Sequence, residues 1–400
     1  MPELNEIIRI ASRGDGVTAD GRHVAGAAPG DSVDAEGRLV EKGPHHAEPR
    51  CRHYGLCGGC QLQHTDDIAY RVFLGERIRY ALAQQGVDAP LMEEPHLSPS
   101  GTRRRASLRA QKRQGRVTIG FNEGESHRLI DLAECPVLLP ELFALVKPLR
   151  DLLARLMPER SAAGVTLTRC DQGVDLMIGP LHADDLAAME ALTGFARGHG
   201  LARLSVDRGY GAELAYMEDA PTVTLGGVPV TLPPGAFLQA TEDGERALVA
   251  AVDLATAGAR RIADLFSGLG TFALPLAGRA QVFAADGAGG AVAALASAAG
   301  RAGRPLVTRH RDLFRAPLDA AELNRFDAVV LDPPRAGARA QAEMLAASKV
   351  PQVAMVSCNP NSFARDAKIL VEGGYRLVRL WPVGQFRWSV HVELVASFVR

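Results

Sequence analysis

The stretch "RIADLFSGLGTFALPLA", from Arg261 to Ala277, reads as a strand that enters a glycine-rich turn and continues into a helix. Gly268 and Gly270 let the backbone approach a ligand at the first turn of that helix, where free N–H groups point outward. The segment also satisfies the pattern G-x-G-x-x-A, and Asp286 ends the next predicted strand, where a carboxylate can accept both hydroxyls of a ribose. The loop alone fits either a nicotinamide dinucleotide or S-adenosylmethionine.

Two features near this loop favour S-adenosylmethionine. Asp264 stands inside the strand before the glycines, where an acid suits a cationic ligand that carries no phosphate. The segment "VVLDPPR", which ends at Arg335, closes the fourth predicted strand, and Asp-Pro-Pro-Arg at that place is familiar from methyltransferases that act on bases. Asp264 has an alternative role as an acceptor that caps the loop, and the two roles are compatible.

Strands and helices alternate from about Thr241 to the carboxyl terminus. A helix predicted at 242–256 precedes the strands "RIADLF", "AQVFAAD", "PLVTRH", "FDAVVLDPP" and "QVAMVSC", and alanine-rich helical segments separate the earlier ones. This alternation is typical of a doubly wound, mainly parallel sheet, so the fold class is α/β. The last two segments, "RLVRLWPV" and "VHVELVASF", have no helix between them and are predicted to pair as an antiparallel hairpin.

The 400 residues exceed what one hydrophobic core usually supports, so several domains are expected. Residues 1–48 read as short strands and turns, which predicts a small β unit. Residues 49–240 hold a cysteine-rich segment, a helix over 66–85, a leucine-rich helix over 138–156 and alternating strands, which indicate an α+β domain. Residues 241–400 form the doubly wound domain. The apolar positions that indicate the helix over 66–85 are Ile68, Val72, Ile78, Tyr80 and Leu82.

The composition is that of an ordinary globular protein, with 47% hydrophobic and 23% charged residues. No apolar segment is long enough to cross a membrane, and the start "MPELNEIIRI" carries acids where a secretory signal would carry bases. We therefore expect a cytoplasmic protein without membrane contact. The net charge of −1 argues against non-specific coating of nucleic acid.

One basic stretch departs from this balance. "TRRRASLRAQKRQGR", from Thr102 to Arg116, holds seven basic residues and no acid. Its density and single sign favour binding of phosphate groups, whereas the alternative is a solvated charged face.

The cysteines include two kinds of candidate. Cys358 ends a predicted strand in "VAMVSCNPNSFARD", from Val353 to Asp366. The ends of parallel strands are where α/β enzymes hold reactive groups, although a small inert cysteine is common. Disulfides are not expected in a cytosolic chain, and Cys170 is expected to be an inert core residue. Four other cysteines offer thiolates to zinc or to an iron–sulfur centre, and their spacing does not choose between these: Cys51, Cys57, Cys60 and Cys135.

Several motifs in one order resemble those of the RNA 5-methyluridine methyltransferases over most of the chain. They are "CRHYGLCGGCQLQH", "AECPVL", "GAFLQATEDGE", "DLFSGLGTFALPLA", "LDPPR", "VSCNP" followed by "ARD", and "HVE". The resemblance implies a Rossmann-like class I S-adenosylmethionine-dependent methyltransferase domain at 241–400. It also implies methylation of uridine C5 in RNA.

The resemblance implies two catalytic residues. Uracil C5 is too poor a nucleophile to take a methyl group directly, and addition of the Cys358 thiolate at C6 would make C5 enolate-like. This mechanism asks for a cysteine whose thiolate is favoured. A separate base must then remove the C5 proton so that the thiol can leave, and Glu393 of "HVE" matches that base. The alternative for Glu393 is an ordinary carboxylate at the end of a strand.

The resemblance also implies a set of cofactor contacts. Gln239 of "FLQ" and Phe266 of "DLF" would touch the cofactor, Asp286 would hold its ribose, and Asp312 of "HRDLF" would lie near the adenine amine. Arg335 would orient the target base or a phosphate, or else form a structural salt bridge. The full set of cofactor contacts is Gln239, Phe266, Gly268, Gly270, Thr271, Asp286, Asp312 and Asp332.

For the four clustered cysteines the resemblance implies a [4Fe–4S] cluster, with a structural role in folding the RNA-binding segment. It also implies that 1–48 is a TRAM-like, OB-like barrel that binds RNA. Because few residues remain before the cysteines, we expect this barrel to be truncated or open. The sequence departs from the family at Thr271, where asparagine is frequent, and at Asp286, which replaces glutamate. Arg387 replaces a proline in the loop before Glu393.

The expected partner is RNA, and ribosomal RNA is favoured because the transfer-RNA branch of the family lacks the cluster. We expect a monomer. Three alternatives stay open at this point. They are the same reaction on transfer RNA, a non-catalytic RNA-binding protein that kept the fold, and a dinucleotide-dependent oxidoreductase.

Overall fold

The amino-terminal part forms an open antiparallel sheet in the computed structural model, which describes residues 4–124 and 126–400. Its strands are β1 (Asn5–Ile10), β2 (Gly16–Thr18), β3 (His23–Val24), β4 (Ser32–Val33) and β5 (Leu39–Glu41). The order is β3-β2-β1-β4-β5, so the outer strands β3 and β5 do not meet within the described ranges. The predicted small, open β unit is confirmed, and its first three residues lie outside those ranges.

Helix α1 (Asp67–Gln84) confirms the helix predicted after the cysteine-rich segment. The carboxylate of Asp66 caps its first turn. The apolar face was predicted only in part, because Ile68, Val72 and Tyr80 are exposed. The buried face of the helix is therefore different from the predicted one, and aromatic and leucine side chains form most of it. The buried residues are Ala69, Tyr70, Phe73, Leu74, Gly75, Ile78, Ala81 and Leu82.

Two short strands after α1 join the carboxy-terminal sheet. They are β6 (Leu91–Met92) and β7 (His96–Leu97), and both pair in parallel with the strand at 376–384. This segment falls inside the range predicted for the central domain. The predicted divisions after residues 48 and 240 stay predictions.

The central residues form a mixed sheet with helices against it. The elements are β8 (Arg105–Arg113), β9 (Arg116–Gly120), α2 (Pro140–Ala144), α3 (Val146–Leu156), β10 (Ala162–Cys170), β11 (Gly173–Gly179), α4 (Leu186–Gly198), β12 (Leu201–Asp207) and β13 (Ala212–Met217). The strand order is β13-β12-β11-β10-β8-β9. The single helix predicted over 138–156 is two helices, because Pro148 has no N–H to donate to the carbonyl of Ala144. The hairpin β14 (Thr222–Leu225) and β15 (Val228–Thr231) follows.

The carboxy-terminal residues form the predicted doubly wound sheet. Its elements are α5 (Glu242–Ala255), β16 (Arg261–Leu265), α6 (Ala273–Leu276), β17 (Gln281–Asp286), α7 (Gly289–Arg301), β18 (Leu306–His310), α8 (Ala320–Leu323), β19 (Ala328–Leu331), α9 (Arg339–Ala347), β20 (Gln352–Ser357), α10 (Pro360–Glu372), β21 (Arg376–Gly384) and β22 (Glu393–Val399). The order is β18-β17-β16-β19-β20-β22-β21, with β6 and β7 beside β21. Strands β16 to β20 are parallel, and β22 is antiparallel to both its neighbours, which confirms the predicted hairpin.

Two apolar cores cover the two faces of this sheet. Side chains of α1, α9 and α10 form one, and those of α5, α6, α7 and the β14–β15 hairpin form the other. Neighbouring residues of one strand enter different cores, as Ala263 and Ile262 do. A parallel strand buried on both faces is apolar throughout, which is why these segments were readable from the sequence.

The basic stretch at 102–116 divides into structural and exposed members. Arg104 is buried and pairs with the carboxylate of Glu245 at 2.6 Å. The Nζ of Lys112 donates to carbonyls at the end of α3. The stretch therefore offers fewer cations to a phosphate backbone than its composition indicates. The exposed members are Arg109, Arg113 and Arg116.

Replacing Arg104 by methionine should lower the free energy of unfolding by about 3 kcal/mol, because Glu245 is left buried without its partner. Replacing Arg113 by alanine should change it by less than about 0.5 kcal/mol, because this side chain is exposed. Urea unfolding followed by circular dichroism measures both changes. Equal destabilisation by the two substitutions would contradict the division of the basic stretch.

Candidate active site

The carboxyl ends of the parallel strands gather most of the predicted site residues at one edge of the sheet. Leu265 at the end of β16 pairs with Ala285 of β17 and with Leu331 of β19. The residues that follow these three, Phe266, Asp286 and Asp332, therefore lie side by side. This is the edge at which doubly wound sheets bind ligands.

The glycine turn after β16 begins with an unusual backbone. Phe266 has a φ of +64°, and its N–H donates to the carbonyl of Ala285 at 2.9 Å. A Cβ on Gly268 would meet nothing within 4 Å, so this position leaves open space for a ligand. A Cβ on Gly270 would lie 2.5 Å from Leu295 Cδ1. The close packing of Leu295 from helix α7, rather than the approach of a ligand, requires glycine at position 270.

Asp286 holds the glycine turn in place. Its Oδ2 accepts the N–H of Gly268 at 2.9 Å, and its Oδ1 accepts the N–H of Ala288 at 2.6 Å. Each carboxylate oxygen keeps a second lone pair, so these bonds leave room for ribose hydroxyls. The carboxylate therefore shapes the turn before any ligand arrives.

Asp264 and Asp332 add buried negative charge behind the turn. Asp264 is fully buried, and neither carboxylate oxygen has a hydrogen-bond partner among the described residues. Burial, and then the carboxylate of Asp332, raise the pKa of Asp264 well above its usual range. Burial and the charge of Asp286 raise the pKa of Asp332 to about 7. A cationic ligand would relieve this repulsion, as the sequence predicted for Asp264.

An aromatic pair at the rim of the turn includes a residue that the sequence analysis missed. The rings of Phe266 and Phe314 are 5.3 Å apart between centroids, and Phe314 is half exposed. Asp312 is exposed on the same loop, where its Oδ1 accepts the N–H of Phe314 at 3.0 Å. The signal in the sequence was a second "DLF" after the third strand of the sheet. Such a pair offers a flat apolar surface to a planar base.

Thr271 and Gln239 contact other parts of the protein. Thr271 lines an open cleft of about 900 Å³ together with Arg246 and Asp253. Gln239 is buried, and its Oε1 accepts the side-chain N–H of Gln385 at 2.7 Å.

Gln385 lies near both Gln239 and the predicted base and was also missed. Its Oε1 accepts the N–H of Ala240 at 2.8 Å, and its side chain opposes the rise in the pKa of Glu393. Only its place in "GQF", between two paired strands, hinted at this role. One buried amide therefore bonds Gln239 and acts on the pKa of Glu393.

Cys358 and Glu393 face each other across two antiparallel strands. Ser357 of β20 pairs with Leu394 of β22, so the next position on β20 comes opposite Glu393. Residues opposite each other in such a pair project to the same side of the sheet. Cys358 is half-buried, and Glu393 is buried with 5% of its surface exposed.

The electrostatics of this pair correct one expectation. Burial, Glu393 and Asp332 together raise the pKa of Cys358 to about 11. Burial and Asp332 raise the pKa of Glu393 to about 8. The prediction of a favoured thiolate is wrong for the protein without ligands, because its neighbours are acids and its surroundings are poorly hydrated. Both shifts favour the protonated forms, a thiol beside a carboxylic acid.

The turn that carries Cys358 is fastened to the "DPPR" turn. Asn359 caps α10, and its side-chain N–H donates to the carbonyl of Arg335 at 3.0 Å. The hydroxyl of Ser362 donates to the same carbonyl at 3.0 Å. The guanidinium of Arg335 forms no ion pair within the described ranges, so the salt bridge considered as its alternative role is absent there. Its charge opposes the rise in the pKa of Cys358.

The four clustered cysteines line one cavity of about 240 Å³. Burial and the neighbouring thiols together raise the pKa of Cys60 to about 12. In the described part of the chain, no group of three or more His, Cys, Asp or Glu side chains is placed to hold a single metal ion. Cys170 is buried in the core as expected. The cysteines in the cavity are Cys51, Cys57, Cys60 and Cys135.

The fold and this edge of the sheet define a class. A doubly wound sheet with a glycine turn at this edge, and an acid after the second strand that can hold a ribose, binds nucleoside cofactors. The buried carboxylates behind the turn favour the cationic cofactor of an S-adenosylmethionine-dependent methyltransferase. None of the helices in 4–124 and 126–400 has the length and hydrophobicity needed to span a bilayer.

Comparison with similar proteins narrows this class to RNA methyltransferases. A protein of Zymomonas mobilis, named an uncharacterised RNA methyltransferase, is 49% identical over 99% of this chain and 100% of its own length. A protein of Brucella suis with the same description is 41% identical over 98% of this chain and 96% of its own length. The 23S rRNA (uracil(1939)-C(5))-methyltransferase RlmD of Edwardsiella ictaluri is 34% identical over 90% of this chain and 84% of its own length. No profile of a protein family matches the chain.

The fold agrees with a solved structure. The tRNA (uracil-54, C5)-methyltransferase of Pyrococcus abyssi, in complex with S-adenosyl-L-homocysteine, superposes with a TM-score of 0.76. The match covers 99% of this chain and 100% of that chain at 23% identity. The chain belongs to the RNA 5-methyluridine methyltransferase family, and it is an RNA methyltransferase.

Replacing Glu393 by glutamine should make Cys358 react several times faster with iodoacetamide at pH 9, because a neutral amide no longer raises the pKa of the thiol. Mass spectrometry of the peptide that contains Cys358 measures the rate. In the unchanged chain, the rate should keep rising as the pH approaches about 11. Glu372→Gln, an exposed change on α10, is the control. Equal rates in the two variants would contradict the coupling.

Proposed function

We propose that this protein transfers a methyl group from S-adenosylmethionine to C5 of uridine in RNA, through a covalent bond between Cys358 and C6 of the base. The pairing of β20 with β22 carries the proposal, because it sets a thiol opposite a carboxylate beside the glycine turn. The names of RlmD and of the Pyrococcus abyssi enzyme, which both specify uracil C5, support it.

Each catalytic residue has one task in this reaction. S-adenosylmethionine supplies an electrophilic methyl group on a sulfonium. Cys358 would form a bond from Sγ to C6, and the C5–C6 electron pair would form the bond from C5 to the methyl carbon. The bond from the sulfonium sulfur to that carbon breaks, and its electron pair stays on the sulfur, which leaves as a neutral thioether. Glu393 then accepts the C5 proton. The electron pair of the broken C5–H bond restores the C5–C6 double bond, and the C6–S electron pair returns to Cys358.

The charge of the site decides when these groups are active. Cys358 must ionise, and positive charge from the sulfonium and from Arg335 would lower its raised pKa. Glu393 accepts a proton only as a carboxylate. Because its pKa is about 8, the basic form increases as the pH rises through 8, and release of the adduct should be faster at pH 9 than at pH 7.

The predicted cofactor contacts remain proposals with different degrees of support. Asp286 would accept the ribose hydroxyls beside Gly268, and Phe266 with Phe314 would flank the adenine. Asp332 would face the sulfonium. The remaining proposed contacts are Gln239, Gly270, Thr271 and Asp312.

The four cysteines are proposed to hold a [4Fe–4S] cluster. Support comes from their convergence on one cavity and from the ligand set itself, since four thiolates are what such a cluster requires. The raised pKa values of Cys51, Cys57 and Cys60 describe thiols without metal, and coordination would deprotonate them. The proposed task of the cluster is structural, because methyl transfer moves no electrons.

The proposed substrate is ribosomal RNA, with transfer RNA as the alternative. The exposed cations Arg109, Arg113 and Arg116 on the β8–β9 hairpin would contact phosphates, and the open amino-terminal sheet would add to the RNA surface. The target uridine would be unstacked and turned into the site. We further propose a cytoplasmic monomer.

Replacing Cys358 by alanine should abolish methylation of unmodified 23S ribosomal RNA, because the thiol that adds to C6 and activates C5 is removed. Glu393→Gln should instead form a protein–RNA complex that survives denaturing electrophoresis, because the C5 proton stays in place and the thiol cannot leave. Transfer of label from S-adenosylmethionine and mapping of the modified nucleotide measure the outcome, with transfer RNA as the comparison. Methylation by the Cys358→Ala variant would refute the mechanism.

Protein purified without oxygen should contain iron and acid-labile sulfide in about equal amounts, close to four of each per chain. Changing Cys170 to serine should leave both contents unchanged, because that side chain lies in another core. Changing Cys57 to serine should lower both. Zinc alone in the unchanged protein would refute the cluster.

A further inference from the structure

The segment that carries the clustered cysteines also holds the loop that delivers Glu393. We call residues 385–392 the base loop, because they connect β21 to β22 and end immediately before Glu393. The N–H groups of Gln61 and Leu62 both donate to the carbonyl of Trp388, at 2.8 and 2.9 Å. Gln61 follows Cys60 directly in the chain, so a shift of that cysteine would reach the base loop through one peptide unit.

The cavity between the four thiols has the base loop as part of its wall. Phe386, Arg387, Ser389 and His391 line it together with the cysteines. The guanidinium of Arg103 also lines it and lies 5.3 Å from the centre of the Phe386 ring. Whatever fills the cavity therefore contacts the base loop directly.

The base loop has a conformation that needs such support. Trp388 has a φ of +59°, a backbone region that is costly for a residue with a Cβ and persists only where surrounding contacts fix it. The indole is buried, with Arg50 and Arg387 over its ring at 5.8 and 5.1 Å. From helix α1, Tyr70 Oη lies 3.0 Å from the carbonyl of Phe386 and 2.9 Å from that of Ser389.

The nucleophile is held by different contacts. The turn of Cys358 is fastened through Asn359 and Ser362 to the carbonyl of Arg335, on the other side of β20 from the base loop. Loosening of the cysteine segment would therefore displace Glu393 before it displaces the thiol. The two halves of the reaction, formation and release of the adduct, depend on separate supports.

We propose that the occupant of the four-cysteine cavity controls proton removal by Glu393: a filled cavity fixes the base loop for release, and an empty one leaves the RNA attached to Cys358. This inference rests on the proposed function. In the stalled state the C6–S bond is intact and C5 carries both the methyl group and its hydrogen. Release breaks the C5–H bond, gives the proton to Glu393, restores the C5–C6 double bond and returns the C6–S electron pair to sulfur. Loss of the cluster would thus trap the enzyme on its substrate.

The first test compares the protein as purified without oxygen with the same protein after removal of iron by ferricyanide and EDTA. Single-turnover reactions with labelled S-adenosylmethionine give the rate of methyl transfer, and denaturing gels give the amount of adduct. The rate constant for adduct release should fall about 100-fold after iron removal, which is the cost of misplacing a catalytic group by about 1 Å, while methyl transfer falls much less. A uniform loss of methyl transfer without adduct would overturn the proposal.

A variant separates the base loop from the cluster. Tyr70→Phe removes the hydroxyl that supports the base loop from α1 and leaves all four cysteines in place. It should increase the ratio of adduct to free product with iron content unchanged. Tyr80→Phe is the matched control, because Tyr80 lies exposed on the same helix and should leave the ratio as it was. An unchanged ratio in Tyr70→Phe would count against the proposed support.

A spectroscopic measurement needs no activity. The chain has two tryptophans, Trp381 and Trp388, so Trp381→Phe leaves the base loop with the single reporter. Iron removal should shift the emission of Trp388 to longer wavelength and make it more accessible to acrylamide, because the loop opens to water. Identical emission and quenching before and after iron removal would overturn the proposal. If iron removal changes the emission of Trp388 but the protein methylates no RNA, the proposed function fails. The contact between the cavity and the base loop is then still supported.

Discussion

The antiparallel insertion of β22 between β20 and β21 is the constraint on which the active site depends. In a purely parallel sheet the residue after each strand would be followed by a helix, and no carboxylate would arrive opposite Cys358 from a neighbouring strand. The register Ser357–Leu394 places Glu393 there, and a slip of one residue would turn its side chain to the other face. The chemistry of the site thus follows from one strand pairing, supported by the glycine turn that forms the adjoining edge.

Burial and negative charge give that edge its character. Burial and the charges of Asp332 and Asp286 raise the pKa of Asp264, and burial and Asp286 raise that of Asp332. Asp332 also adds to the effect of burial on Cys358 and Glu393. Carboxyl groups in such a pocket favour their protonated forms until positive charge enters it. The carboxylates that would attract a sulfonium also favour the neutral thiol of Cys358.

The sheet, the glycine turn and the turn of Cys358 could be predicted from the sequence. Buried parallel strands are continuous apolar runs, and the two turns carry distinctive residues. Gln385 and Phe314 could not be predicted from the sequence, since each acquires its role only from a partner brought near by the fold. Arg104 looked like part of an RNA surface and is instead buried against Glu245, a contact between segments far apart in the chain. The thiolate was misjudged for the same reason: the pKa of Cys358 depends on acids contributed by other strands.

The most direct test of this account is mass spectrometry of the protein after reaction with S-adenosylmethionine and RNA in which the target uridine carries fluorine at C5. Glu393 cannot remove fluorine as a cation, so the adduct should persist. We expect a peptide in which methylated fluorouridine is attached to Cys358. Complete absence of an adduct, or attachment at any other cysteine, would contradict it.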